Sequence, residues 1–164
     1  MTKSPFLLRG EFLVEIHDKA GKLKHRFVAP NGIVNGGKNH ALDAVFDGGG
    51  QIANWYIGII NNSPVPTLNA ADTMLSHAGW VEFTTYSEGT RVEWAPDAAA
   101  SQQIANSVVR TFTISTAGTV YGLFITSDST KSGTAGTLWS TAAFDSTLTL
   151  AISDTIKVTY TITS

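Results

Sequence analysis

The closing run "DTIKVTYTIT", residues 154–163, decides the fold: Ile156, Val158, Tyr160 and Ile162 alternate with Thr155, Lys157, Thr159, Thr161 and Thr163. A strict period of two is the mark of a strand with one buried and one solvated face. Threonine on the outer face keeps β propensity without adding charge. Working back from it, Leu148, Leu150 and Ile152, then "TLWSTAAF" (137–144), "TVYGLFIT" (119–126), and Val108, Phe112 and Ile114 show the same habit. Asp128-Ser129, Ser132-Gly133, Asp145-Ser146 and Ser153-Asp154 are expected to supply the turns. At the other end, Phe12, Val14 and Ile16 alternate with Leu13, Glu15 and His17. "DKAGKL" (18–23) turns the chain, and Leu23, His25 and Phe27 alternate with Lys22, Lys24 and Arg26, which predicts an antiparallel hairpin.

Between these β-rich ends the pattern changes. Ala41, Leu42, Val45 and Phe46 fit one buried face of a short helix over residues 36–46, entered through Gly36-Gly37 and closed by "DGGG" (47–50). The entry is expected to use Asn35, Gly36 and Gly37 for positive φ. "NWYIGII" (54–60) reads as a strand buried on both faces. "NNSPVPTLNAADTMLSHAGW" (61–80) is a long connection in which Pro64 and Pro66 exclude regular structure and Asn69 is placed to cap a turn over Ala70 to Leu75. Trp80, Phe83 and Trp94 flank a further irregular region.

Several short strands, one short helix and Gly/Ser/Thr turns predict a single all-β domain over residues 1–164, an antiparallel β-sandwich, jelly-roll-like or a related barrel. The chain has 164 residues, a formal net charge of -2, 15% charged and 43% hydrophobic residues, which suits one folded core with a mostly neutral exterior. No basic stripe of the kind nucleic-acid binding needs is present; Lys19, Lys22, Lys24 and Arg26 are offset in part by Glu11, Glu15 and Asp18. The absence of cysteine removes disulfides, thiolate metal sites and cysteine nucleophiles. "MTKSPFLLRGEFLVEIHD" (1–18) is too short and too charged in its apolar part for a signal peptide or membrane span, so a soluble protein is expected. The N-terminal hairpin, residues 1–28, is a candidate arm for a neighbouring subunit, bounded by the Gly-rich segment at 47–51.

Motifs for chemistry are weak. "GIVNGGKN" (32–39) matches a phosphate loop at Gly32, Gly37 and Lys38, but Asn39 stands where a magnesium-binding hydroxyl belongs, and repeated βα units are missing. His17, His25, His40 and His77 show no metal-ligand spacing, although His17 and His25 face each other across the expected hairpin. No nucleophile elbow is present. No cofactor is therefore expected. Glu82, Glu88, Glu93 and Asp97 lie among Trp80, Tyr86 and Trp94, which keeps a carbohydrate-binding module or small glycosidase as an alternative with a cleft lined by the tryptophans. "NNS" at Asn61 matches a glycosylation sequon, but Pro64 follows and no secretory signal precedes it.

Longer stretches carry more. "NWYIGIINNS" (54–63), "ADTMLSHAGWVEFTTYSEGTRVEWAP" (71–96), "TSDSTKSGTAGTLWSTAAF" (126–144) and the closing "DTIKVTYTIT" resemble a family of small virion structural proteins of tailed bacteriophages. "DKAGKL" ahead of "NGIVNGGKNHALDAVF" (31–46) is similar to that family's opening. Asp72 to Trp80 is the most specific part. The resemblance implies a virion protein without catalytic residues, assembled in the host cytoplasm. It is similar to capsid decoration or cement proteins, whose partners are the major capsid protein and copies of themselves, and equally to tail or fibre-attachment components. Aromatic and apolar residues on irregular segments are frequent interface anchors, which makes Trp80, Trp94, Tyr86, Met74 and Leu75 the candidate interface. The competing expectation is that Trp80 and Trp94 plug one end of the sandwich.

Overall fold

The computed structural model describes residues 7–164, an all-β sandwich of two antiparallel sheets with one helix. The elements are β1 (Arg9–His17), β2 (Leu23–Pro30), β3 (Gly32–Ile33), α1 (Asn35–Phe46), β4 (Tyr56–Asn61), β5 (Glu82–Phe83), β6 (Val92–Glu93), β7 (Gln103–Ala105), β8 (Arg110–Thr113), β9 (Gly118–Thr126), β10 (Leu138–Leu150) and β11 (Thr155–Thr163). One sheet runs β2-β1-β11-β7, with β8 also on β11; the other runs β3-β10-β9-β4-β5, with β6 also on β4.

The closing strand occupies the place its alternation demands. β11 pairs with β1 along its whole length, setting Phe12 opposite Tyr160, Val14 opposite Val158 and Ile16 opposite Ile156. All six are fully buried. Registered partners in an antiparallel pair share a face, so the two alternations reinforce one another and a slip of one residue would expose the whole set. Phe12 and Tyr160 stack with ring centroids 4.3 Å apart. The second sheet meets this face with Ile57, Ile59, Leu123, Ile125, Trp139 and Leu150.

The hairpin is part of the first sheet, with β2 at its edge. β1 lies between β2 and β11 as an interior strand, because Phe12, Val14 and Ile16 need both neighbours to be covered. Of the proposed arm, residues 1–6 lie outside the described residues. The hairpin register sets His25 opposite Ile16 and His17 opposite Leu23, with an irregularity at Ile16/His17, so the two histidines do not face each other.

The second sheet is buried on both sides, as "NWYIGII" predicts. Ile57 and Ile59 point into the sandwich; Ile60 and Phe124 point away from it into a second cluster with Val34, Met74, Trp80 and Leu138. Gly58 makes room for that arrangement, since a Cβ there would fall 2.1 Å from the Phe124 ring. The long connection 61–80 is the cover of this outer face.

Two local expectations are corrected. Asp145-Ser146 is not a turn: β10 runs through it, and the extra residues are absorbed as a bulge between Ala143 and Leu148. The helix forms as expected but does not bury its apolar stripe. Ala41 packs against the core, whereas Leu42, Val45 and Phe46 are 56%, 70% and 81% exposed. The reason lies in the first turn. Gly37 rests on the β10 backbone so closely that a Cβ would meet the Trp139 carbonyl at 2.4 Å, which fixes the helix by its N-terminal end and leaves the other end projecting. Gly37 thus serves close approach, within helical backbone; the positive φ comes after the helix, at Gly48.

Candidate functional site

Four of the five candidate interface residues are spent inside the chain. Trp80 donates its Nε1–H to Asp72 Oδ2 at 3.0 Å, stacks on His77 at 4.1 Å and meets Phe124 at 5.0 Å. Asp72 Oδ2 also accepts from the Asn69 amide, while Asn69 Oδ1 accepts from the Ala71 amide, so Asn69 caps a tight turn at the start of the segment expected. The Thr67 amide donates to the Gly79 carbonyl at 2.7 Å and shuts the base of the loop. Met74 and Trp80 hang inward from it, 1% and 2% exposed, while Leu75, 81% exposed, stands out as Val65 does.

Tyr86 packs edge-on to Phe112, and Lys131 Nζ lies 3.7 Å from the centre of its ring while donating to the Thr84 and Tyr86 carbonyls. Burial, and secondarily the Glu82 charge, push the Tyr86 phenol far above its ordinary range. Trp94 donates to both Asn106 Oδ1 and the Tyr160 carbonyl at 3.0 Å. These indole donors have partners within the fold, and Trp80 and Trp94 are core residues, 2% and 4% exposed.

The acidic residues likewise hold structure. Glu82 and Arg91 form a bidentate pair at 3.0 and 2.8 Å, buried on both sides. Arg91 also donates to the carbonyls of Asp128 and Gly133, and the Ser132 amide donates to Glu82, so one ion pair ties β5 and β6 to the 128–133 turn. Glu88 accepts from the Thr113 amide and Asp97 from the Ser107 amide. Glu93 is exposed. No two of these carboxylates are left to act as an acid and base pair. Among the described residues no group of three or more His, Asp or Glu side chains is placed to hold a metal ion, and no helix is long and apolar enough to cross a membrane. Gly32 of the phosphate-loop match is engaged in β3, paired with Thr141.

A second polar centre has no signal in the sequence. The Tyr160 hydroxyl, fully buried, accepts from Trp139 Nε1 at 3.0 Å and from Asn31 Nδ2, with Ser140 Oγ at 3.4 Å. Desolvation raises its phenol to about 12 against the opposing pull of these hydrogen bonds. Asn106, also buried, receives the Trp94 indole and the Tyr160 amide. Asn31, Arg91 and Asn106 are single polar residues far apart in the chain; nothing in their spacing distinguishes them from loop residues.

The end of the sandwich beside α1 is open to solvent and apolar. A cleft of about 480 Å³ lies there, walled by His40, Ala44, Val45, Trp55, Trp94 and Trp139 and floored by isoleucines of both sheets. Trp55 stands at its side, edge-on to His40 at 5.6 Å and to Trp139 at 5.8 Å. The Nε1 groups of Trp94 and Trp139 are turned inward to Asn106 and Tyr160, so these two side chains give the cleft carbon surface. No protein-family model matches this chain, and no curated protein matches it.

Proposed function

We propose that this protein is a non-enzymatic structural component of a tailed-bacteriophage particle: a decoration or cement protein that binds the shell of the major capsid protein in many copies and associates with itself. The observation that carries the proposal is the division of labour among its side chains. Glu82, Glu88, Asp97, Arg91, Trp80 and Tyr86 are tied into the fold, while large apolar residues, Leu42, Val45, Phe46 and Leu75, are left on a weakly charged surface. Exposed apolar residues beside a cleft suit a protein whose work is contact. The sequence resemblance of residues 54–63, 71–96, 126–144 and 154–163 to small phage virion proteins supplies the particle.

A cement protein draws avidity from repetition, because every site on a lattice adds contacts at high effective concentration. Each contact needs roughly 1,000 Å² to be stable, more than Leu42, Val45 and Phe46 cover alone, so the surrounding neutral surface must join in. The test is the copy number of this chain relative to the major shell protein on purified particles, by quantitative mass spectrometry. Hundreds of copies in simple ratio are expected. A dozen or a few dozen would move the protein to the tail or fibre attachment, and absence from particles would remove the proposal.

A further inference from the structure

Among the described residues β2 pairs with β1 alone, so its other margin is a free edge of the first sheet. The Asn31 amide donates to the Gly10 carbonyl, which sets the phase of the β1–β2 ladder. Ala29, Phe27 and His25 turn their amides and carbonyls to β1, and Arg26 and Val28 turn theirs outward. Pro30 takes the next outward place, where its missing N–H costs no ladder bond. At the other end the extra residue Lys24 breaks the register between Leu23 and His25. The usable edge is therefore Arg26-Phe27-Val28, one outward residue on either side of Phe27, and its amides and carbonyls are open to a further strand. The side chains there are also half-covered. Phe27 faces inward, edge-on to Phe144 at 4.9 Å, beside a hollow of about 210 Å³ bounded by His25, Phe144 and Leu148, with Arg26 and Asp145 on its rim. On the outer face Val28 is 47% exposed, and Arg26 Nε lies 3.4 Å from Glu15 on β1.

We propose that β2 docks on β2 of a second copy: the two strands pair antiparallel about a twofold axis at Phe27, Arg26 of each copy lies opposite Val28 of the other, and the Phe27 rings close the two hollows. Symmetry and charge select this occupant. The open window is itself symmetric about Phe27, so a second copy satisfies every outward group in it, with two hydrogen bonds for each Arg26–Val28 pair. An axis at Arg26 would set like charges opposite one another, and an axis at Val28 would set Arg26 against Pro30, which has no N–H to give. A longer strand from another protein meets Pro30 at one end and the break at Lys24 at the other, so it gains no bonds beyond the same short window. The contact falls below the roughly 1,000 Å² of a permanent interface, which makes the pairing reversible in solution. The inference deepens the self-association in the function proposed above and rests on that reading for its place on a particle; the chemistry of the edge does not.

The test is sedimentation velocity on the full purified chain, from about 1 μM to about 1 mM, independent of any particle. A concentration-dependent monomer–dimer equilibrium is expected, with amide hydrogen exchange at Arg26 and Val28 slowing as the dimer fills. Opposite charges at one position then read the register. Val28→Lys sets a lysine opposite Arg26 of the second copy and should weaken the dimer about tenfold or more; Val28→Glu sets a carboxylate there and should tighten it several-fold, a gain that fades in high salt. Near-ultraviolet circular dichroism checks that both variants are folded, and the exchange of Arg26 and Val28 in the unaltered chain keeps the test open if either is not. A chain that stays monomeric to about 1 mM, equal effects of the two substitutions, or dimers that form without protecting Arg26 and Val28 would overturn the pairing. So would a dimer that Phe46→Glu breaks and Val28→Lys does not, because the contact would then lie at α1. Dimers of the expected kind with no copies on particles would leave the edge standing and remove the phage role; copies on particles of a chain that remains monomeric in solution would do the reverse.

Discussion

The connection from Asn61 to Trp94 and the helix α1 are both rich in large apolar residues, and the fold uses them in opposite ways. The connection has little regular structure, yet Met74 and Trp80 are buried because the loop lies across the apolar outer face of a sheet, and Tyr86 and Trp94 because they pack into the core between the sheets. The helix is regular and carries an apolar stripe, yet Leu42, Val45 and Phe46 face water, because Gly37 seats its first turn on β10 and the far end of the helix projects from the sheet. Regularity of backbone and burial of side chain are thus separate outcomes. A residue is buried by what lies opposite it, not by the element that carries it.

The contrast can be broken most forcefully at Trp80. Trp80→Ala should cost about 3–5 kcal/mol, through the cavity beside Phe124 and the loss of the Asp72 hydrogen bond, measured by urea unfolding. A loss under about 1 kcal/mol would mean the loop is not a working part of the core. High pH probes the same interior. The Tyr160 phenol titrates near 12 in the fold and near 10.0 when unfolded, so its proton is held more tightly in the native state. Its contribution is fully present below pH 10 and is lost as pH rises towards 12, and Tyr86 acts in the same direction. Unfolding free energy should fall across that window, on the order of 2 kcal/mol for Tyr160, and Tyr160→Phe should flatten the decline.

The helix is sharpened by a substitution that local propensity favours. Gly37→Ala should gain up to ~1 kcal/mol of intrinsic helix stability and lose more, about 1–3 kcal/mol, to the clash with the Trp139 carbonyl. Net stabilisation in thermal melts would show that α1 is not seated as described. The smallest change belongs to the stripe itself: Phe46→Ser should alter stability by no more than about 0.5 kcal/mol, since the ring is already in water. A larger loss would mean the ring is covered in the free protein.

Much of the architecture can be read along the chain because strand alternation is a local signal. β1, β2, β4, β9 and β11 lie where period two or a continuous apolar run places them. The short β5, β6 and β7 escape such a reading, since two or three residues carry no periodicity and pair only because β4 and β11 present edges to them. Asp145-Ser146 misleads for a related reason: a turn pair and a bulge have the same composition, and only the partner strand β9 decides between them. Among the candidate interface residues, only Leu75 is where a contact residue must be; Trp80, Trp94, Tyr86 and Met74 satisfy the core first. The cleft draws on α1, the 51–55 segment, β7, β9, β10 and β11, and no local pattern announces a surface assembled from so many places.

By itself, then, the sequence determined an all-β sandwich with one short helix and the inward set Phe12, Val14, Ile16, Ile156, Val158 and Tyr160, because alternation is written residue by residue and register follows from it. Only the tertiary structure decided which apolar residues remain uncovered. That depends on the approach of distant surfaces, such as the contact between Gly37 and the Trp139 backbone, and such approach leaves no periodic trace in the chain.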